Sequence, residues 1–330
     1  MSSPNKAGYR FGTFQGVYVP SVLTILGVIM YLRLGWVLGN LGLTETLLVV
    51  LLASSITFIT GLSLAALATN MTVGGGGVYY IISRSLGLEP GAAIGLPLYL
   101  AQALGIAFYV SGFAESLAAV LPGLEPRQIA VITLIVLTGL AALSADLALK
   151  SQFLILALIA ASLVSFFLGA SAPADPTLPL PAETAPAPLG FWAVFAVFFP
   201  AVTGIESGIA MSGDLKRPSR ALPIGTISAV LTGLVVYLAI PIFLHRCVAD
   251  AGLLRTDPMV MQKVARWGDL VVAGVWAASL SSAMGSLLGA PRTLQALARD
   301  RVVPAFLGKG YGRGNDPRMA SAASFGLALA

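Results

Sequence analysis

The sequence predicts an all-α integral membrane protein, built as two inverted repeats of five helices with the first helix of each repeat interrupted. Three observations predict it. The 330 residues are 57% hydrophobic and only 10% charged, with a mean hydropathy of +0.89, whereas a soluble domain carries about 25% charged residues. Two hydrophobic runs, PSVLTILGVIM (Pro20 to Met30) and FFPAVTGIESGIAM (Phe198 to Met211), hold Pro, Thr and Gly in mid-span. Lys and Arg collect on alternate connections between apolar runs, the pattern that sets orientation in a bilayer.

The apolar runs are each about 20 residues, the length that a hydrocarbon core of about 30 Å requires. The first spans Phe14 to Leu38 and the second Glu45 to Leu67. A glycine-rich break, Gly74 to Gly77, leads into a short amphipathic segment ending near Gly87. The third span is Pro90 to Val120, closed by the turn Pro122-Gly123; the fourth is Gln128 to Leu143 and the fifth Ser151 to Ala170. A Pro- and Ala-rich linker, Ser171 to Pro188, reads as extended and exposed. The sixth span is Leu189 to Met211 and the seventh Ile224 to Leu244. Asp214 and Ser219 cap or turn the chain between them. A polar insert holds a short helix, Pro258 to Trp267; the eighth span, Leu270 to Leu288, continues as an amphipathic helix toward Arg301. A ninth begins near Met319 and stops in mid-run at Ala330, so the second repeat reads as truncated in span 9 and the chain as a fragment or short member.

Helices 1 and 6 are the informative ones. Pro removes a backbone donor and Gly tolerates non-helical angles, so each span is expected to break near its centre. Hydrocarbon cannot satisfy the freed N–H and C=O groups, which must line a protein-enclosed or watery cavity. The first span has Pro20, Thr24 and Gly27; the sixth has Pro200, Thr203, Gly204 and Gly208. Each unit holds five spans, so the two copies run in opposite orientations, the plan of secondary transporters with the site at the repeat interface. The units are a cytoplasmic tail (1–13), a first five-helix repeat (14–170), an extracellular linker (171–188) and an incomplete second repeat (189–330).

Orientation follows from charge. One set of connections holds Lys6, Arg10, Arg84, Lys150, Lys216, Arg217, Arg220, Arg292, Arg299, Arg301, Lys309, Arg313 and Arg318; the other holds Arg127, Arg246, Arg255, Lys263 and Arg266. The richer set is cytoplasmic, which puts the N-terminus inside a multi-pass protein of the cell membrane. This placement also speaks against nucleic acid as the reason for the net charge of +5. The first apolar run is too long for a cleaved signal peptide. One Cys (Cys247) and one His (His245) make no disulfide, metal site or Ser–His pair, and no cofactor or catalytic chemistry is implied. Gly74 to Gly77 lacks the Lys that a phosphate-cradling loop needs. Arg33 and Glu115 read as charges in structural pairs or near an interface rather than as substrate ligands.

The stretches GTFQGVYVPSVLTILGVIMYLRLGWVLG, GGGGVYYIISRSLG, AFYVSGFAESL, FFPAVTGIESGIAMSGDLKRPSRALPIGT and SLSSAMGSLLGAPRTLQALARD occur in that order between Gly12 and Pro304. In them the chain resembles the cation–chloride cotransporter family, within the amino acid–polyamine–organocation superfamily. The resemblance implies a leucine-transporter-like bundle that cotransports chloride with sodium, potassium or both by alternating access. It implies one chloride on Gly27, Val28 and Ile29 and a second on Gly204, Ile205 and Glu206. The potassium site maps onto Thr24, Ile25, Tyr109, Pro200 and Thr203. The sodium site maps onto the carbonyls of Leu23, Leu26 and Ala278 and the hydroxyls of Ser281 and Ser282; the serine pair resembles the sodium-dependent branch. Half-helix N-termini, with about +0.5 of an elementary charge, suit chloride without trapping it. Freed carbonyls and hydroxyls suit a cation. Besides these ions and the lipid bilayer, a homodimer is compatible with the resemblance.

Three positions depart from the family pattern: Thr24 and Ala210 stand where it has Asn, and Glu206 where it is apolar. A carboxylate repels an anion beside it, and an ionised acid near mid-membrane costs about 2.5–3.5 kcal/mol. Glu206 is therefore expected to be paired, protonated, or facing a cation or water. It reads as a charge-coupling residue that replaces an anion's charge or meets a proton or cationic substrate. Two alternatives stay open: an amino acid or amine permease on the same fold, with Glu206 meeting the ammonium group, and a non-transporting membrane subunit.

Overall fold

The computed structural model describes residues 11–70, 77–121, 123–143, 145–169, 187–210, 215–311 and 316–329, with 142–143, 145–150 and 210 through their backbone alone. The glycines Gly74 to Gly76, Pro122, linker residues 171–186, Asp214, Lys6, Arg10, Arg313 and the side chain of Lys150 lie outside the described residues.

A π turn, Phe14–Tyr18, leads into α1 (Val19–Ile25), and α2 (Val28–Leu32) follows after Leu26 and Gly27. The next helix, α3 (Leu34–Asn70), is two helices in line, kinked at Gly42, whose φ of 70° and ψ of 177° lie outside any helix. The first two expected spans therefore join through a kink, a conformation that glycine adopts without steric cost. Four helices complete the first half: α4 (Gly77–Ser85), α5 (Leu88–Val120), α6 (Pro126–Leu143) and α7 (Ala145–Phe167). The second half opens with α8 (Phe191–Phe198), a 3₁₀ turn (Phe199–Val202) and α9 (Ile205–Ala210). It continues through α10 (Pro218–Cys247), α11 (Ala251–Thr256), α12 (Val260–Val264), α13 (Gly268–Arg299) and α14 (Arg318–Leu329). Among the described residues there is no strand beyond two isolated bridges, Phe11–Leu215 and Tyr311–Asp316.

Six stretches are long and apolar enough to cross a membrane: Phe14–Leu32, Leu34–Asn70, Leu88–Val120, Phe191–Ile209, Pro218–Cys247 and Gly268–Arg299. Two shorter apolar helices, Pro126–Ala141 and Ser151–Phe167, match the fourth and fifth expected spans. The protein is membrane-embedded, all-helical and interrupted in its first and sixth spans. The outward faces fit that setting: Leu48, Leu51 and Ile59 on α3, Ile132 and Ile135 on α6, and Leu154 and Val164 on α7 are all exposed apolar side chains. Without lipid they would form a large apolar patch. Trp192 and Trp267, both exposed, stand at the starts of α8 and α13, where aromatic belts meet the headgroups.

Two expectations need correction. The prolines do not themselves make the breaks. Pro20 lies in the first turn of α1, six residues before the break at Leu26–Gly27 begins, and Pro200 is the second residue of the 3₁₀ turn, three before the extended Thr203. Each proline follows helical residues without a gap, since the Val19 and Phe199 N–H groups still bond the Phe14 and Phe195 carbonyls, so each marks a change of helix type upstream of the break itself. The polar insert is also not one helix over Pro258 to Trp267. It is α11, capped by Asp250 whose carboxylate accepts from the Gly252 N–H at 2.7 Å, and then α12. Between them Asp257 accepts from the Met259 N–H at 2.8 Å, turning the chain before the second helix can extend backward.

Packing sorts the helices. α3 lies along α10, and α1 is held against α9 and α10; α13 lies along α5 and α7. The largest core takes in Val17, Ile25, Met30, Tyr31, Phe198 and Tyr237. Two smaller cores sit along α13, one with Tyr79, Tyr99 and Leu294, the other with Ile106, Val110 and Leu287. The short helix α4 is docked onto the far end of α13. Asp300 accepts from the Tyr79 hydroxyl at 2.8 Å and from Arg84 at 3.0 Å. Burial first, and then the bond to Asp300, push the Tyr79 phenol up to about 12, so it keeps its proton and stays a donor.

Replacing Asp300 by Ala removes one acceptor from two donors and leaves the buried Tyr79 hydroxyl unpaired, a loss of about 1–3 kcal/mol. Hydrogen exchange across Gly77–Ser85 is expected to speed up while the centre of α5 stays protected; equal exchange in both proteins would show that α4 is held by packing alone.

Candidate functional site

The first break frees backbone groups by stopping one helix and starting another. α1 ends at Ile25, Leu26 has φ −81° and ψ 50°, and Gly27 is extended at φ −88° and ψ −164° before α2 begins. The last carbonyls of α1 and the first amides of α2, at Gly27, Val28 and Ile29, have no partner within their own helices. All of these residues are buried. The second break repeats the arrangement. Thr203 is extended (φ −77°, ψ 177°), Gly204 has φ +115°, and α9 starts at Ile205.

The two breaks touch. A Cβ on Gly204 would lie 2.6 Å from Thr24 Cγ2 and 2.8 Å from Thr24 Cβ, so the missing side chain is what lets the threonine in. Thr24 Oγ1 lies 2.9 Å from both the Pro20 carbonyl and Ser207 Oγ, tying α1 to α9. From α10, the buried Tyr237 hydroxyl donates to the Ile25 carbonyl at 2.7 Å and reaches the Ala201 carbonyl at 3.2 Å. One phenol therefore serves freed carbonyls from both interrupted helices. Tyr18 and Thr232, 3.1 Å apart, add a second α10 contact.

The expected residues fall around this junction. Thr24, Tyr109 and Thr203 are half-buried, Ile25 is buried and Pro200 is exposed. The Thr203 hydroxyl donates to the Pro200 carbonyl at 2.7 Å. Tyr109, on α5, has its ring beside Gly105 and Ser286. Leu23, Leu26 and Ala278 are buried. On α13, Ser281 is half-buried, and Ser282 is buried with no hydrogen-bond partner for its hydroxyl. That hydroxyl would be 3.7 Å from a Cβ on Gly27, so it stands at the first break. An unpaired buried hydroxyl costs free energy unless something binds it. Glu206, half-buried in the first turn of α9, accepts from the Gly204 N–H at 3.1 Å. Arg33 and Glu115 pair with each other, a two-point bridge of 2.9 and 3.2 Å from the α2–α3 junction to α5.

Sequence reasoning missed Tyr237, Ser207 and Ser162. Ser162, on α7, donates to the Ile159 carbonyl and accepts from the Tyr31 hydroxyl at 2.6 Å, fastening α2 to α7. A signal existed for Tyr237: a lone phenol in the middle of LVVYLAIPIF must find a partner in the membrane interior. Nothing in the sequence marks Ser207 or Ser162 off from serines that bond back to their own helix.

Comparison with known proteins gives a consistent picture. The family model described as "Amino acid permease" matches residues 16–330. Solute carrier family 12 member 1 of Homo sapiens is 35% identical over 97% of this chain and 35% of its own length. Solute carrier family 12 member 2 of Danio rerio is 34% identical over 99% of this chain and 34% of its own. The chain thus spans about a third of the length of these relatives. Among solved structures, a Na+-coupled sialic acid symporter in a substrate-bound outward-open state aligns with a TM-score of 0.63, over 97% of this chain and 72% of that one. At 11% identity the likeness is one of fold, that of the leucine transporter.

Two substitutions test the junction. Tyr237→Phe leaves the Ile25 and Ala201 carbonyls without their donor, and is expected to destabilise the purified protein by about 1–3 kcal/mol. Gly204→Ala adds a methyl group at the Thr24 contact and forces alanine into a left-handed conformation, so its loss should be larger. Thermal unfolding in detergent measures both; a Gly204→Ala protein as stable as the parent would mean that the two breaks can separate freely.

Proposed function

Since the chain belongs to the amino acid permease family, we propose that it is a secondary transporter that moves chloride together with an alkali cation by alternating access. What carries the reading is the first break, where the amides of Gly27, Val28 and Ile29 open α2 beside an orphaned serine hydroxyl. Amides that no helical carbonyl meets offer a halide hydrogen bonds and the positive end of a dipole. Chloride is held there. Sodium takes the freed carbonyls of Leu23 and Leu26, the carbonyl of Ala278 and the hydroxyls of Ser281 and Ser282; the buried, partnerless Ser282 supports this. Potassium takes the Ile25 and Pro200 carbonyls and the oxygens of Thr24, Tyr109 and Thr203. The half-burial of Thr24, Tyr109 and Thr203 around one junction supports a common site.

Orientation follows the charge. Arg84, Lys216, Arg217, Arg220, Arg292, Arg299, Arg301, Lys309 and Arg318 share one side with the N-terminus, which we assign to the cytoplasm. Residues 14–170 and 189–330 act as inverted repeats around the site.

A second reading, an amino acid or amine permease, is favoured by one observation: Glu206 is an acidic side chain at the second break, suited to an ammonium group.

Uptake of labelled rubidium by the purified protein in liposomes, with chloride or with gluconate, decides between them. Chloride-dependent rubidium uptake is expected; chloride-independent amino acid uptake would install the second reading. In the same assay Ser281→Ala combined with Ser282→Ala should abolish sodium stimulation and leave the protein folded. Sodium stimulation that survives in the double variant would remove these serines from the site.

A further inference from the structure

Glu206 stands at the second break, yet the ion sites above give it no role. Its carboxylate curls back onto the break, accepting from the Gly204 N–H at 3.1 Å and from its own N–H. These are the first amides of α9, so the protein's own side chain covers the position where a free anion would meet them. Two backbone donors use part of a carboxylate's capacity of about four hydrogen bonds, and they bring no full positive charge. The three ion pairs among the described residues are Arg33–Glu115, Arg84–Asp300 and Lys263–Asp257, and none involves Glu206. Hydroxyls gather at the same break: Thr24, on α1, packs against Gly204, whose N–H the carboxylate holds, and shares a hydrogen bond with Ser207 on α9, the residue next to Glu206. A carboxylate among hydroxyls, with no cationic side chain, is poised for a mobile positive charge.

We propose that Glu206 is the resident counter-anion of the transported alkali cation: it occupies the anion position at the second break, and the cation binds between its carboxylate and the hydroxyls of Tyr109, Thr24 and Ser207. This rests on the ion-cotransport reading above and adds a consequence to it. The cation needs no anion at α9, so a single chloride, at α2, completes the load.

The test uses the full chain in detergent and in liposomes. In chloride-free gluconate, potassium should raise the unfolding temperature of the parent protein saturably. Glu206→Gln should raise the half-saturating potassium concentration about tenfold or more, a loss of about 1.4 kcal/mol. In liposomes the chloride dependence of rubidium uptake should follow a Hill coefficient of about 1 in the parent and rise toward about 2 in Glu206→Gln, as a second chloride enters the vacated position. Unchanged potassium affinity in the variant overturns the proposal, and so does a parent Hill coefficient near 2. If parent uptake ignores chloride, the cotransport reading fails, while the potassium titration still decides the role of Glu206. Should Glu206→Gln not fold, infrared difference spectra of the parent with and without potassium give the same decision. A potassium-induced shift of a carboxylate stretch is expected, and a flat difference spectrum overturns the assignment.

Discussion

The fold is organised by one contact, the approach of Thr24 to Gly204. An interrupted helix in a membrane leaves amides and carbonyls that hydrocarbon cannot solvate. Two interruptions that meet can serve one another's polar groups and share partners from neighbouring helices. The meeting requires that nothing project from Gly204, because a Cβ there would overlap the threonine. It also requires a left-handed backbone at that residue, φ +115°, which glycine alone takes up without strain. Once the breaks are in register, the Tyr237 phenol reaches carbonyls on both, and Ser207 reaches Thr24. Each bond is worth about 1 kcal/mol on its own.

These bonds also sort the molecule into parts. Tyr18 with Thr232, Thr24 with Ser207 and Tyr237 with Ile25 knit α1, α9 and α10 into one unit. On the other side, Thr293 lies 3.1 Å from the Gln102 amide oxygen, joining α13 to α5 along their length. Few side-chain bonds cross between the units. Those that do, Tyr31 with Ser162 and Arg33 with Glu115, involve the α2 end of the first interrupted helix. A structure with many bonds inside each part and few between them can rearrange by moving the parts whole, and its packed faces favour discrete positions over continuous ones.

Much of this was legible in the sequence, and the reasons differ by level. The spans were readable because a bilayer imposes a length and excludes charge, both of which are properties of composition. The breaks at Gly27 and Gly204 were readable because Pro, Thr and Gly seldom gather in mid-span without purpose. The prolines precede the breaks, which fall at Leu26–Gly27 and Thr203–Gly204, and of these four residues Gly204 carries the left-handed backbone. Tyr237 was missed for a different reason. Its importance lies in two carbonyls that only the fold brings to it, Ile25 at a separation of 212 residues and Ala201 at 36. No local pattern encodes such a partner. The division of the polar insert into α11 and α12 hung on two aspartates, Asp250 and Asp257, whose capping geometry competes with ordinary solvation and is visible only once the backbone is known.

In the proposed transport cycle, Ser282 would couple ion occupancy to movement. It lies on α13, in the unit formed with α5, yet its unpaired hydroxyl stands beside Gly27, at the end of the unit formed by α1, α9 and α10. An ion bound by this hydroxyl and by freed carbonyls of α1 would draw ligands from both units at once. Its coordination would be complete only while the units stay in one relative position. A ligand shifts an equilibrium by the difference of its affinities for the two states, and a site assembled from two bodies has that difference built in. Tyr237, by contrast, takes its carbonyl partners from both breaks and sits on α10 within the same unit, so its bonds survive any motion of that unit as a body. In the proposed cycle the junction of the breaks would be the rigid part of the site, and the α13 hydroxyl the part that senses where the rest has moved.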